Sequence, residues 1–133
     1  MAINFPIVTT FDERAVKKAD KAFGDYIKAR DHYICVVCGS KEFISCGHLL
    51  SRSAYSTRWD EVNCHGQCRS CNYKHESYPG PFTSWFLKKF GAQKYLDLEQ
   101  RYWQSRKWKD WELEELIETY KHKLEALKAQ QPI

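Results

Sequence analysis

The chain has 133 residues, enough for one ordinary domain with a small core and too few for two independent ones. Charged residues make up 29% and aromatics 15%, and no apolar run reaches the roughly 20 residues that a bilayer span needs, which excludes a membrane-embedded or low-complexity chain. The net charge of +4 is concentrated: residues 88–109 alone carry +5, and the rest of the chain nearly cancels.

The N-terminal stretch MAINFPIVTTF is apolar, but Asn4 and Pro6 interrupt it and no basic residues precede it, so it lacks the layout of a signal peptide. A cytoplasmic location is expected. In that reducing compartment the six cysteines serve as metal ligands or free thiols; a disulfide framework is the alternative, since Cys46 and Cys64 make the count even. Thr10-Phe11-Asp12-Glu13 reads as a capping box, with Thr10 at the N-cap. From there Ala15, Ala19, Ala22, Phe23, Tyr26 and Ile27 recur at helical spacing and predict a helix to about Arg30. Residues 31–63 hold short apolar runs broken by Gly39, Gly47 and several serines, the pattern of a knuckle and hairpin, with strands expected at 43–49 and 59–62.

A short helix over 71–77 should end at Pro79-Gly80-Pro81, and a second over 82–90 should stop at Gly91. A third is expected from Ala92 to about Ser105, and a last from about Asp110 to Ala129. Its stripe of Leu113, Leu116, Ile117, Tyr120, Leu124 and Leu127 would pack on the preceding module or pair with a second chain in a homodimer. The expected fold is therefore a single, mainly helical α+β domain over residues 1–133, divided into an N-terminal helix (1–31), a metal-bound core (32–78) and a basic helical tail (79–133).

Two Cys-x-x-Cys knuckles, Cys35-Val36-Val37-Cys38 and Cys68-Arg69-Ser70-Cys71, stand 29 residues apart. This is the spacing of a structural zinc site in which each pair gives two thiolates to one tetrahedral ion. Such a site is closed, so any chemistry needs other groups. His48 follows Gly47 at the end of a predicted strand, where its ring can take a proton from water near neutral pH. Asn72 sits in the first turn of the helix that the second knuckle opens, where its amide oxygen can coordinate a hard cation such as Mg²⁺. Trp85, Tyr95, Tyr102, Trp103 and Trp108 lie among or beside the cations of residues 88–109. That composition meets phosphates and stacks on bases, or else forms a solvated helical face with its aromatics turned inward.

The order of a first cysteine pair, Gly47-His48, Asn63 and then Cys68-Arg69-Ser70-Cys71-Asn72 resembles the HNH, or ββα-metal, nucleases whose hairpin is supported by a four-cysteine zinc. The run CGHLLSRSAYSTRWDEVNCHGQCRSCN is similar to the phage lambda NinG (Rap) recombination endonuclease family, and the likeness extends over roughly residues 30–125. That resemblance implies a zinc-supported ββα-metal core flanked by helices and a metal-dependent endonuclease acting on DNA, branched or recombination-intermediate DNA above all. It would work in the host cytoplasm, with structural Zn²⁺ and catalytic Mg²⁺ or Mn²⁺. It implies His48 as the general base, Asn72 as a ligand of the catalytic cation, and Asn63 as the asparagine that braces the loop orienting His48.

One departure stands out. These nucleases commonly carry an acidic metal ligand just before the base histidine, whereas Ser45, Cys46 and Gly47 precede His48. His75 and Glu76, three and four residues beyond Asn72 on the same helical face, are the available substitutes. Asp60 and Glu61 are poorer ones, since they can pair with Arg58. Arg52, Arg58, Arg69, Arg106, Lys107 and Lys109 are the expected phosphate contacts. His32 and His65 are expected at the surface or as supports for the site, and Cys46 and Cys64 as small buried hydrophobes. The missing carboxylate leaves a non-catalytic zinc-ribbon DNA-binding or adaptor module as the alternative.

Overall fold

A computed structural model describes residues 12–130. The first helix, α1 (Glu13–Arg30), is capped by Asp12, whose carboxylate accepts from the Arg14 N–H at 2.9 Å; Thr10, the expected cap, lies outside the described residues. Glu13 in its first turn and Lys28 and Arg30 in its last complement the helix dipole. Val16, Ala19, Phe23 and Ile27 form its buried stripe.

The chain then makes a hairpin of β1 (Ile44–His48) and β2 (Cys64–Cys68), antiparallel, with Ile44 opposite Cys68 and His48 opposite Cys64. β1 lies where the sequence places it. The second strand does not: it was expected at 59–62, and that segment is turn. Asp60 is the reason, since its carboxylate accepts from the Val62 N–H and its carbonyl from the Asn63 N–H, closing a polar turn that drops Trp59 into the core. α2 (Arg69–His75) follows β2 without a loop, and Cys68 Sγ accepts from the Cys71 N–H as its cap.

α3 (Gly80–Phe90) carries Pro81 in its first turn, where the missing N–H costs nothing, and ends at Gly91, whose φ of +89° a side chain would resist. α4 (Ala92–Tyr102) and α5 (Asp110–Gln130) complete the chain. No helix among the described residues is long and apolar enough to cross a membrane.

Two apolar clusters hold the elements in place. In the first, α1 packs along α5: Leu113 and Ile117 bury against Val16, Ala19, Phe23 and Ile27, and Tyr120 meets Phe23 edge-on with ring centroids 4.8 Å apart. The front half of the α5 stripe is thus covered by α1 of the same chain, and Leu124 and Leu127 remain half-buried. Trp59 and Trp108 seal the open end of this cluster, 5.2 Å apart. In the second, Phe82, Phe86 and Leu98 of α3 and α4 close over Leu49 and the valines of the first knuckle. The hairpin packs on α1 of the first cluster, and α2 meets α3 of the second through His75 and Phe82, ring centroids 5.0 Å apart.

Candidate functional site

The four knuckle sulfurs of Cys35, Cys38, Cys68 and Cys71 lie within 4.8 Å of one another. The Cys38 and Cys68 sulfurs are 3.7 Å apart, which matches the edge of about 3.8 Å of a tetrahedron of thiolates with 2.3 Å bonds to zinc. Gly39, at φ +80°, makes the turn that returns the chain from the first knuckle, and its N–H bonds to the Cys35 carbonyl. Burial opposes a charge on Cys35, yet the N–H groups of Cys38, Cys68 and Val37 outweigh it and bring the thiol down to about 7. Burial and then the neighbouring thiols of Cys68, Cys38 and Cys35 push Cys71 up. One acidified thiol beside one that resists a second charge is a donor set that a cation reconciles, and these four residues can hold a metal such as zinc.

Beside this centre, between β1 and α2, a cleft of about 670 Å³ opens. His48, Asn72, His75, Glu76, Arg52 and Arg69, all singled out in the sequence, line it, together with Tyr73. His48 Nε2 lies 2.9 Å from the Arg58 carbonyl oxygen. A carbonyl only accepts, so Nε2 carries the proton and Nδ1 keeps its lone pair. Burial first, then the Arg52 and Arg58 charges, hold the His48 pKa below the usual histidine value despite that bond, so the ring is neutral at pH 7. The tautomer and charge are those of a ready base.

Asn63 lies beneath the cleft, fully buried. Its amide oxygen accepts from the Leu50 N–H at 2.8 Å, and its amide nitrogen donates to the Leu50 and Thr57 carbonyls at 3.0 and 3.1 Å. It thereby ties both ends of the segment from Leu50 to Thr57 next to Arg58, whose carbonyl fixes the His48 ring. Asn72 donates weakly to Ser45 Oγ at 3.4 Å, leaving its amide oxygen without a hydrogen bond. His75 donates from Nε2 to the Leu49 carbonyl at 2.8 Å, and its Nδ1 is buried with no hydrogen-bond partner. An unpartnered imidazole nitrogen in the cleft wall suits a cation ligand.

Other sequence-selected residues stand elsewhere. Arg58 is 8% exposed and turned inward: Nε and Nη2 donate to Asp20 at 2.9 and 2.6 Å, and Nη1 donates to the Arg52 carbonyl. Its guanidinium orders the loop rather than facing a phosphate. Asp60 pairs with Arg101 and Glu61 with Lys123, so neither carboxylate reaches the cleft, and neither is the partner of Arg58. Arg106, Lys107 and Lys109 are exposed, but Arg106 is committed to Glu112 at 3.2 Å and stacks 3.8 Å over Trp108. Among the five aromatics of the basic stretch, Trp103 is exposed, at 77%, and the other four are at least half-buried.

His65 is buried rather than at the surface, ringed by Phe82, Trp85, Phe86 and Phe90; Nε2 donates to the Val62 carbonyl and Nδ1 accepts from Arg30. Asp20 was not singled out in the sequence. It organises Arg58, Arg52 and the Trp59 indole N–H at once, and the available signal was a carboxylate bordering an otherwise apolar helical stripe.

Comparison with known families bears on this arrangement. The family described as Bacteriophage Lambda NinG protein matches residues 11–130. The chain belongs to the bacteriophage lambda NinG family. Protein ninG of Salmonella phage P22 is 26% identical over 117 residues, covering 85% of this chain and 57% of the P22 protein. The chain thus spans little more than half the length of that relative. No solved structure matches. The NinG match contains both cysteine knuckles and every cleft residue named above.

Proposed function

We propose that this NinG-family chain is a metal-dependent DNA endonuclease of the HNH type that cuts branched or recombination-intermediate DNA in phage recombination. The observation that carries the reading is His48: a neutral imidazole in a cleft, with Nε2 committed to a carbonyl and Nδ1 left basic. Asn72 through its amide oxygen and His75 through its unpartnered Nδ1 would hold Mg²⁺ or Mn²⁺, with Glu76 the one carboxylate among the described residues that line the cleft. Bound there, the cation would supply Lewis-acid stabilisation of charge on the phosphorane and the leaving 3′ oxygen.

The protein side of the reaction follows from the residues. His48 Nδ1 takes a proton from water, the hydroxide oxygen bonds to phosphorus, and the P–O3′ bond breaks with its electron pair on O3′, which is then protonated. Arg52 and Arg69 border the cleft with charges available to the phosphates on either side of the scissile bond. Asn63 holds the loop so that the Arg58 carbonyl stays in place to accept from His48 Nε2, which keeps the proton there and Nδ1 free.

The lack of a carboxylate immediately before His48 favours the second reading, a zinc-dependent DNA-binding module without catalysis. Incubation with supercoiled plasmid, linear duplex and a four-way junction in Mg²⁺ or Mn²⁺ separates the two. Cleavage lost in His48→Ala, strongest on the junction, supports the nuclease. Tight binding of all three with no cleavage in either metal supports the module.

A further inference from the structure

The two cysteines outside the knuckles are not scattered. Cys46 and His48 are two residues apart on β1 and so share a face of the hairpin, and Cys64 is the direct cross-strand partner of His48. The sulfurs of Cys46 and Cys64 and a ring nitrogen of His48 all lie within 4.8 Å of one another. His48 Nε2 and Cys64 Sγ donate to the same Arg58 carbonyl, at 2.9 and 3.6 Å, so their tips converge on one point. Cys64 is fully buried, whereas Cys46 lines the cleft and gives the group an opening to solvent.

Two sulfurs and an imidazole with one open side is a donor set for a soft or borderline cation. Its two soft thiolates disfavour magnesium, a hard cation that prefers oxygen ligands. We propose that Cys46, His48 and Cys64 form a second zinc site, distinct from the four-cysteine centre, whose occupation withdraws His48 from the cleft chemistry. Having three protein donors rather than four, it is the weaker of the two. Binding releases the two thiol protons to solvent; the His48 proton moves from Nε2 to Nδ1, the bond to the Arg58 carbonyl breaks, and Nε2 gives its lone pair to the cation. The withdrawal rests on the nuclease reading; the site itself does not.

The test uses the full chain carrying its first zinc, titrated with further zinc against a chromophoric chelator and, in parallel, with Co²⁺ to read thiolate-to-metal absorption. Wild type should take a second equivalent, and Cys46→Ser and Cys64→Ala should each lose that equivalent while keeping the first. In Mg²⁺, the second equivalent should suppress plasmid cleavage by wild type on the order of 10²-fold or more, the loss expected when a general base is removed, and leave cleavage by Cys46→Ser standing. A wild-type chain that saturates at one equivalent overturns the site, as does a second equivalent that survives both substitutions; the wild-type count decides even if a variant misfolds. A second equivalent in a chain that cuts no DNA would keep the site and remove the nuclease reading instead.

Discussion

His48 is held in one tautomer by a backbone carbonyl and kept neutral first by burial and then by Arg52 and Arg58. Since the base must be unprotonated, the cleavage rate should be flat above pH 6.5 and fall only below it, as pH drops through the lowered pKa. A rate that climbs steeply between pH 7 and 9 would point to a different base. His65 makes a second titration visible in stability rather than activity. Burial takes it down to about 4, so protonation is easier in the unfolded chain than in the folded one. Its contribution is complete above the unfolded value near 6.5 and is lost as pH falls toward 4. With 1.36 kcal/mol per pKa unit, the loss is on the order of 3 kcal/mol. Urea midpoints measured from pH 7 to pH 4.5 should fall more steeply for wild type than for His65→Gln, and parallel curves would contradict the assignment. At this scale the sequence pointed to residues that line one cleft, because Gly-His and Cys-x-x-Cys-Asn are local patterns. Arg58 was legible only as a cation: its partner Asp20 is 38 residues away on α1, a distance no local pattern spans.

Among the elements, the loop between β1 and β2 depends on one side chain. Asn63→Ala removes three hydrogen bonds of a buried side chain and leaves the Leu50 N–H without its acceptor, while the Thr57 carbonyl keeps the Asp60 N–H. The expected cost is about 2–4 kcal/mol in stability, together with a fall in kcat at unchanged zinc content as His48 loses its fixed carbonyl. Thermal unfolding and single-turnover kinetics on the same sample check both, and full activity at reduced Tm would restrict Asn63 to a structural role. In the basic stretch, Arg106 is tied to Glu112 and Trp108 at the entrance to α5, whereas among the described residues no hydrogen bond or ion pair engages the side chains of Lys107 and Lys109. Replacing Lys107 and Lys109 by Gln should flatten the slope of log affinity against log salt by about 1.8, at about 0.9 per phosphate contact on duplex DNA. Unchanged slopes would make the stretch ordinary solvated surface. Helix positions were readable because apolar periodicity and the Pro and Gly stops are strong signals. β2 was not, because all five of its residues are buried and it mixes cysteines with His65 and Gln67, so it offers no alternation of polar and apolar positions.

In the whole molecule, the cysteine centre and the cleft share the same hairpin and helix: Cys68 ends β2 and caps α2, and α2 then carries Asn72 and His75. A cation held by the four sulfurs would therefore fix the geometry of the cleft without taking part in it. The helices before and after the cysteine knuckles were legible from periodicity and the Pro and Gly stops. The return of α5 onto α1 was not, since the α5 stripe alone does not say which apolar surface it meets. We propose that His48 is the base of a nuclease cleft. The most direct measurement is single-turnover cleavage of a four-way junction in Mg²⁺, comparing wild type with His48→Ala after both are shown to bind the junction equally and to carry the same zinc. The expected result is a loss of about 10²–10⁴ in rate at unchanged affinity; equal rates for the two proteins would contradict that role.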